Sequence, residues 1–241
     1  MTDQTVTARE LVIPPPPAAL IPVKDCDAFF PVRRIWCVGR NYADHAREMG
    51  ADPVREPPFF FAKPSDAIVP RGGSIAYPVG TQRLHHEVEL AVAIGRCGRN
   101  IDPIEAEGYI FGYAVALDMT RRDIQDVAKT TRRPWDMAKG FDQSCPISEI
   151  QPRAAAEALQ TAAISLFING QVRQQGAVHQ MIWSVAECLA ALSRLVELQP
   201  GDILLTGTPA GVGDVHPGDK LHAHCERIGS LHVEYFGDGG R

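Results

Sequence analysis

This chain of 241 residues has no long basic tract, no closely spaced cysteine pair and no long apolar run. Lysine and arginine number 24 against 29 aspartates and glutamates, for a formal net charge of −5. The arginines come in pairs (Arg33-Arg34, Arg121-Arg122, Arg132-Arg133), so a phosphate backbone is not an expected partner. The cysteines Cys26, Cys37, Cys97, Cys145, Cys188 and Cys225 form no C-x-x-C motif, which argues against a zinc ribbon or a redox pair. Apolar neighbours, as in Trp36-Cys37-Val38, read as those of reduced thiols in a cytosolic core. Nothing approaches the roughly 18 apolar residues of a spanning helix. The N-terminal stretch carries Asp3, Glu10 and then prolines at 14–17, without the basic and apolar regions of a signal peptide. The expectation is a soluble, cytoplasmic protein that binds neither nucleic acid nor membrane. There is no internal repeat; Pro-Gly-Asp at 200–202 and again at 217–219 is turn punctuation before two strands. A G-x-x-x-x-G spacing between Gly211 and Lys220 is followed by Asp219, with no Lys-Ser or Lys-Thr, so it is not a phosphate-binding loop.

What is present is ordinary globular composition, 45% hydrophobic and 22% charged. A chain this long buries roughly 70–75% of its unfolded surface and needs no disulfide or structural metal. Residues 1–30 are proline-rich and read as an arm lying on the body, with a short strand at 11–13. Residues 31–241 read as a single domain. It opens with a strand at 34–38, a short helix at 42–49 closed by Gly50, and a proline- and phenylalanine-containing connection at 53–64. A strand at 86–94 comes next. Asp102-Pro103-Ile104-Glu105 has the cap, first-turn proline and acidic residue of a helix start. An apolar strand at 109–117 precedes a short helix at 122–129. Segments 163–168 and 171–174 flank Asn169-Gly170, a type I′ hairpin signal. Met181, Ile182, Val185, Leu189, Leu192 and Val196 recur at helical spacing within 179–198. Strands at 202–206, 220–225 and 230–235 finish the chain. About ten short strands with little βαβ alternation predict a β-dominated α+β fold whose sheet is rolled or sandwiched, not doubly wound.

The segment His85-His86-Glu87-Val88-Glu89-Leu90-Ala91-Val92-Ala93-Ile94 carries the most chemistry. Strand alternation puts Val88, Leu90, Val92 and Ile94 on one face and Glu87, Glu89, Ala91 and Ala93 on the other. Two adjacent carboxylates beside small apolar residues repel each other and lose hydration. A divalent cation removes that cost, and hard oxygen ligands select Mg²⁺, Mn²⁺ or Ca²⁺ over zinc. An E-x-E pair also suits an edge strand facing water. Asp118, at the end of the apolar run 112–117, is a third candidate ligand or else a cap for the helix that follows. Three carboxylates leave up to three positions of an octahedral ion open to water and substrate.

Seven segments in order resemble the fumarylacetoacetate hydrolase family. They are Val38-Gly39-Arg40-Asn41-Tyr42 with His45 and Glu48; Lys63-Pro64-Ser65; 86–90; 118–125; Ala138-Lys139-Gly140-Phe141-Asp142; Asn169-Gly170; and 206–213. Segments 30–42 and 55–61 are similar to the fumarylpyruvate hydrolase and acylpyruvase branch. The resemblance implies a mixed β-sandwich roll of the family's C-terminal domain type, usually dimeric. It further implies an Mg²⁺- or Mn²⁺-dependent enzyme that cleaves a C–C bond in a 1,3-diketo acid, with Glu87, Glu89 and Asp118 as metal ligands. Arg121 departs from the small residue common in relatives and is expected to alter the pocket's charge.

The expected substrate is a 2,4-dioxo acid, best fumarylpyruvate, cleaved to fumarate and pyruvate. That places the reaction in aromatic-ring breakdown through gentisate. His45 and Glu48 stand at i and i+3 on one helix face, where Glu48 can orient the imidazole and His45 can take a proton from water. The same pair also suits an exposed helix. Gly39 and Gly50 bracket this helix, which can then close as a lid. By the resemblance, Lys139 is the pocket lysine that stabilises a developing oxyanion. The resemblance likewise implies that Arg122 and Gln125 orient substrate and that Thr208 meets its carboxylate, with Gly207 letting the backbone approach. His85 and His86 flank the ligand strand, and His222 and His224 share a strand face. Alternatives on the same fold are an oxaloacetate decarboxylase, a dienoate isomerase or decarboxylase, and, from another class, a silent scaffold subunit.

Overall fold

In the computed structural model, residues 12–48, 56–156 and 158–237 are described. They form eighteen strands in four sheets, with four α-helices: α1 (Ala43–Glu48), α2 (Arg122–Thr131), α3 (Asp136–Lys139) and α4 (Val185–Leu195). The largest sheet is mixed. Its order runs Phe59–Lys63, Arg34–Gly39, Asp202–Leu205, Val88–Ile94, Ile110–Leu117, Cys145–Ile147, Ile68–Pro70, with Gln151–Pro152 also paired to Ile110–Leu117. A second sheet of five strands runs Gln171–Ala177, Ala163–Ile168, Lys220–Cys225, Gly229–Phe236, Gly72–Ala76. A three-stranded sheet joins Thr120–Arg121, Leu84–His86 and Gly213–Val215. The fold class expected from the sequence is the one observed.

Period-two alternation explains the layering. Val88, Leu90, Val92 and Ile94 enter the main core together with Ile164, Leu166, Leu221, Leu231 and Val233 of the five-stranded sheet. Ala91 and Ala93 enter a second cluster on the opposite face, with Ile21, Phe30, Ile35 and Ile203. Every residue of Val88–Ile94 is buried, so this strand lies at the centre of its sheet and not at an edge. Residues 20–31 hold a two-stranded pair, Leu20–Pro22 with Phe29–Pro31.

Several elements differ from the sequence reading. Eighteen strands replace about ten, because many are two- or three-residue pairings too short to show a period. The strand at 86–94 is two strands: Leu84–His86 belongs to the three-stranded sheet, and the chain leaves it at Glu87. The connection at 53–64 contains a strand, Phe59–Lys63, its first residues lying outside the described ones. Asp102 accepts only a local bond from the Ile104 amide (3.0 Å), and a 3₁₀ turn at Ala106–Tyr109 follows, since the chain must extend at once into Ile110–Leu117. The helix at 179–198 is shorter. A 3₁₀ turn, Val178–Gln180, precedes Ser184, whose hydroxyl and backbone exchange bonds with Glu187 and start α4. Of the strand expected at 11–13, Val12 and Ile13 are exposed bends, and Leu11 is outside the described residues, as is Gly50. The hairpin turn is as expected, with positive φ at both Asn169 (51°) and Gly170 (78°).

Candidate active site

Register assembles the carboxylates. Val88 pairs with Leu117 across two antiparallel strands, so Glu87 and Asp118 face each other at the strand ends; the Asp118 amide donates to the Glu87 carbonyl at 2.8 Å. Glu89 lies on the same face of its strand. The three side chains are buried, and one carboxylate oxygen from each lies within 4.8 Å of the others.

Three basic groups surround them. The Lys139 ammonium, at the end of α3, donates to Glu87 Oε2 and to Asp118 Oδ2, both at 2.7 Å. Lys63, at the end of the Phe59–Lys63 strand, is fully buried; it lies 2.9 Å from Asp118 Oδ1 and donates to the carbonyls of Met119 (3.1 Å) and Lys139. Arg122, at the start of α2, donates to Glu87, to Gln125 Oε1 and, through Nε, to His85 Nδ1 at 3.1 Å. His85 Nε2 is 2.9 Å from Asp214 Oδ1. Accepting at Nδ1 puts the ring proton on Nε2, facing Asp214. Burial, with Arg122, pushes the His85 pKa down to about 4.

Glu89 differs from its two neighbours. It accepts a backbone bond from Gly207 at 2.6 Å, and no basic side chain is paired with it among the described residues. Burial, with the charges of Asp118 and Glu87, pushes its carboxyl well above the usual range. Burial also opposes ionisation of Glu87, but Lys139, Arg122 and His45 outweigh it and hold that carboxyl below the usual range. Burial disfavours the Lys139 ammonium, and Asp118 and Glu87 more than offset it, so its pKa is raised. Three convergent, buried, all-oxygen donors, one lacking a counter-charge, fit a hard divalent cation.

His45 lines the same cleft from α1. Its Nδ1 lies 3.3 Å from Glu48 Oε2, and both Glu48 oxygens accept from the Gly211 amide at 3.1 Å. Burial lowers the His45 pKa, only partly opposed by Glu87 and Glu48, so the ring is a neutral base near pH 7. Asn41, just before α1, clamps that helix: its amide donates to the carbonyls of Thr206 and Trp183, and its oxygen accepts from the Trp183 amide, all at 2.8 Å. Gly207 has φ +95°, and a Cβ there would stand 2.7 Å from Asn41 Cβ, so the Thr206–Thr208 turn needs glycine. Gln125 and Thr208 also line the cleft. The Thr208 hydroxyl donates to the Val88 carbonyl (2.8 Å) and accepts from Gln174 (2.7 Å), and Gln174 in turn holds His86 Nδ1 at 2.9 Å. All ten residues singled out from the sequence as catalytic, substrate-binding or metal-ligating thus meet in or against one cleft. Arg121 does not line it but lies over the Phe141 ring at 4.4 Å. His222 stacks on His232 at 4.3 Å, on the five-stranded sheet.

Sequence reading missed Lys63, Asn41 and Gln174 as parts of this network. The signal for Lys63 was available: a lysine ending a run of three phenylalanines and an alanine has few ways to stay solvated.

Fold and cleft together define a class of protein. Residues 34–234 match the family model described as fumarylacetoacetate hydrolase, C-terminal, and the chain belongs to that family, whose members are enzymes. Among solved structures, it is 46% identical to fumarylpyruvate hydrolase from Pseudomonas aeruginosa in complex with Mn²⁺ and pyruvate; the match covers 95% of this chain and all of that one, with a TM-score of 0.92. Among curated proteins, it is 42% identical over 208 residues to the mitochondrial oxaloacetate tautomerase of Homo sapiens, covering 83% of this chain and 94% of that protein. It is 44% identical over 190 residues to the mitochondrial oxaloacetate decarboxylase of Dictyostelium discoideum, covering 78% and 87%.

Proposed function

We propose that this protein is an Mg²⁺- or Mn²⁺-dependent acylpyruvate hydrolase that cleaves the C3–C4 bond of a 2,4-dioxo acid, with fumarylpyruvate as its substrate and fumarate and pyruvate as products. One observation carries this reading: His45, buried, neutral and held by Glu48, faces the same cleft as the carboxylate–lysine cluster. Decarboxylation and tautomerisation need no water nucleophile, whereas hydrolysis does.

Glu87, Glu89 and Asp118 would hold the cation. When bound, it supplies Lewis-acid stabilisation of the negative charge that develops on the departing pyruvate unit, several kcal/mol of transition-state stabilisation. The chain's own groups do the rest. His45 takes a proton from water, whose oxygen adds to C4, and Glu48 stabilises the imidazolium that forms. The C3–C4 pair leaves on C3, which regains one proton, so that one water is consumed for one acid and one pyruvate. Lys139 presents a fixed positive charge at the reacting end. Arg122, braced by His85 and Gln125, orients the substrate. Three acids and three bases make the inner cluster formally neutral, so a divalent ion would give it two positive charges, which attract a dianionic diketo acid.

The sequence relatives that act on oxaloacetate, also a dianion, favour a second reading in which the same site tautomerises or decarboxylates that acid. The deciding assay offers fumarylpyruvate, maleylpyruvate, acetylpyruvate and oxaloacetate side by side with Mg²⁺ or Mn²⁺. Fumarylpyruvate turnover supports the first reading, and turnover of oxaloacetate alone replaces it with the second. His45→Ala separates the chemistries: hydrolysis falls by about 10²–10⁴-fold, while any decarboxylation persists. We also propose a cytoplasmic homodimer with a 1–30 arm on a 31–241 catalytic domain, a small-molecule diketo acid as its partner, neither nucleic acid nor membrane, and a place in gentisate breakdown. No helix among the described residues is long and apolar enough to cross a membrane.

A further inference from the structure

The inner cations of the cleft are all engaged by protein carboxylates, whereas two further cations, at its outer part, are not. Arg40 and Lys129 line the cleft together with Phe59 and Trp135. The Arg40 guanidinium lies 5.8 Å from the Phe59 ring centroid, and the Lys129 ammonium 5.6 Å from that of Trp135. The two rings meet edge-on at 5.7 Å. One aromatic wall is thus bracketed by two positive groups, and neither has a carboxylate within ion-pairing distance among the described residues. The nearest acid on the Lys129 helix, Asp126, is taken by Arg83 at 3.2 Å.

The wall is seated deliberately. A Cβ at Gly39 would come within 2.0 Å of the Phe59 ring, so the glycine before Arg40 makes room for that ring. Arg40 itself has φ +58°, a left-handed conformation that is strained for a non-glycine residue. An edge-to-face aromatic pair with flanking cations suits a conjugated, unsaturated chain that ends in an anion.

We propose that Arg40 and Lys129 form a subsite for a second, distal carboxylate on the acyl group, so that the enzyme selects 2,4-dioxo acids whose acyl half is itself a planar unsaturated acid. The inference rests on the acylpyruvate reading and specifies its substrate class. Burial and the neighbouring charges of Arg122 and Arg40 lower the Lys129 pKa, only partly opposed by Asp126 and Glu87, as expected of a cation without a partner.

The test uses the Mn²⁺-loaded protein and the variants Arg40→Gln, Lys129→Met and their combination, with Arg40→Lys as the conservative control. kcat/KM is measured for fumarylpyruvate and for acetylpyruvate, which has no distal carboxylate. Calorimetric titration with fumarate gives an equilibrium readout that is independent of turnover. Each single variant is expected to lose about tenfold, and the double variant about 100-fold, on fumarylpyruvate, with acetylpyruvate affected only a few-fold. Fumarate binding weakens in parallel, and Arg40→Lys recovers most of the Arg40 effect. Equal losses on both substrates, or an unchanged fumarylpyruvate rate, overturn the subsite while the hydrolase reading stands. A wild-type protein that cleaves no acylpyruvate overturns both.

Discussion

Lys63 touches Asp118, the Met119 carbonyl and the Lys139 carbonyl at once, so one ammonium sets the position of a candidate ligand and of the lysine beside it. Lys63→Met leaves buried acceptors without their donor. The expected cost is about 3–5 kcal/mol of stability, read as a lowered denaturation midpoint, together with weakened Mn²⁺ binding. Glu89 has the opposite problem, a buried carboxyl with no paired basic side chain among the described residues. Glu89→Gln removes one anionic donor and is expected to abolish calorimetric Mn²⁺ binding while leaving the circular dichroism spectrum intact; Mn²⁺ binding at wild-type affinity would exclude Glu89 as a ligand. At His45 the sign of the pH dependence follows from burial. Its folded pKa lies below 6.5, so the proposed hydrolysis should persist under mildly acidic conditions and fall only as pH drops through that lowered value. Glu48 raises the His45 pKa, so Glu48→Gln should move the acid limb of kcat/KM to still lower pH and reduce kcat. A limb that moves upward would contradict the pairing.

At the scale of elements, α1 is only six residues long and cannot stand by itself; it is held by its ends. Asn41 fastens its start to the Thr206 and Trp183 carbonyls, and Glu48 fastens its end to the Gly211 amide. Asn41→Ala removes the clamp and leaves buried acceptors, for an expected loss of about 2–4 kcal/mol. Faster amide exchange across residues 41–48 and a lower kcat should accompany it. Helix α4 relies on a local device instead, the reciprocal Ser184–Glu187 bonds, and Ser184→Ala should cost about 1 kcal/mol in thermal or denaturant unfolding without altering metal affinity.

For the molecule as a whole, three buried acids in the centre of a two-layered fold would couple metal binding to folding. A cation that binds only the folded state stabilises it by about 2.7 kcal/mol at a concentration 100 times its dissociation constant. Stripping with a chelator should therefore lower Tm by several degrees, and Mg²⁺ or Mn²⁺ should restore it. A Tm indifferent to both ions would indicate that the triad does not bind them.

The local features of the fold were legible in the chain. The period of two in 88–94 named the two faces that become two cores, and Asn-Gly named a turn whose positive φ values only such residues accept readily. Glu87, Glu89 and Asp118 could be picked out because carboxylates beside apolar runs demand an explanation, whereas His45 and Lys139 stood out through the family resemblance of their segments. What only the tertiary structure decided was how they meet. The pairing of Val88 with Leu117 brings Asp118 opposite Glu87, the end of α3 delivers Lys139, and a strand hidden among prolines and phenylalanines delivers Lys63. Chain composition carries no record of register or of three-dimensional proximity. Hydrogen bonding between distant segments sets both, and it left Glu89 as the acid of the three with no basic partner among the described residues.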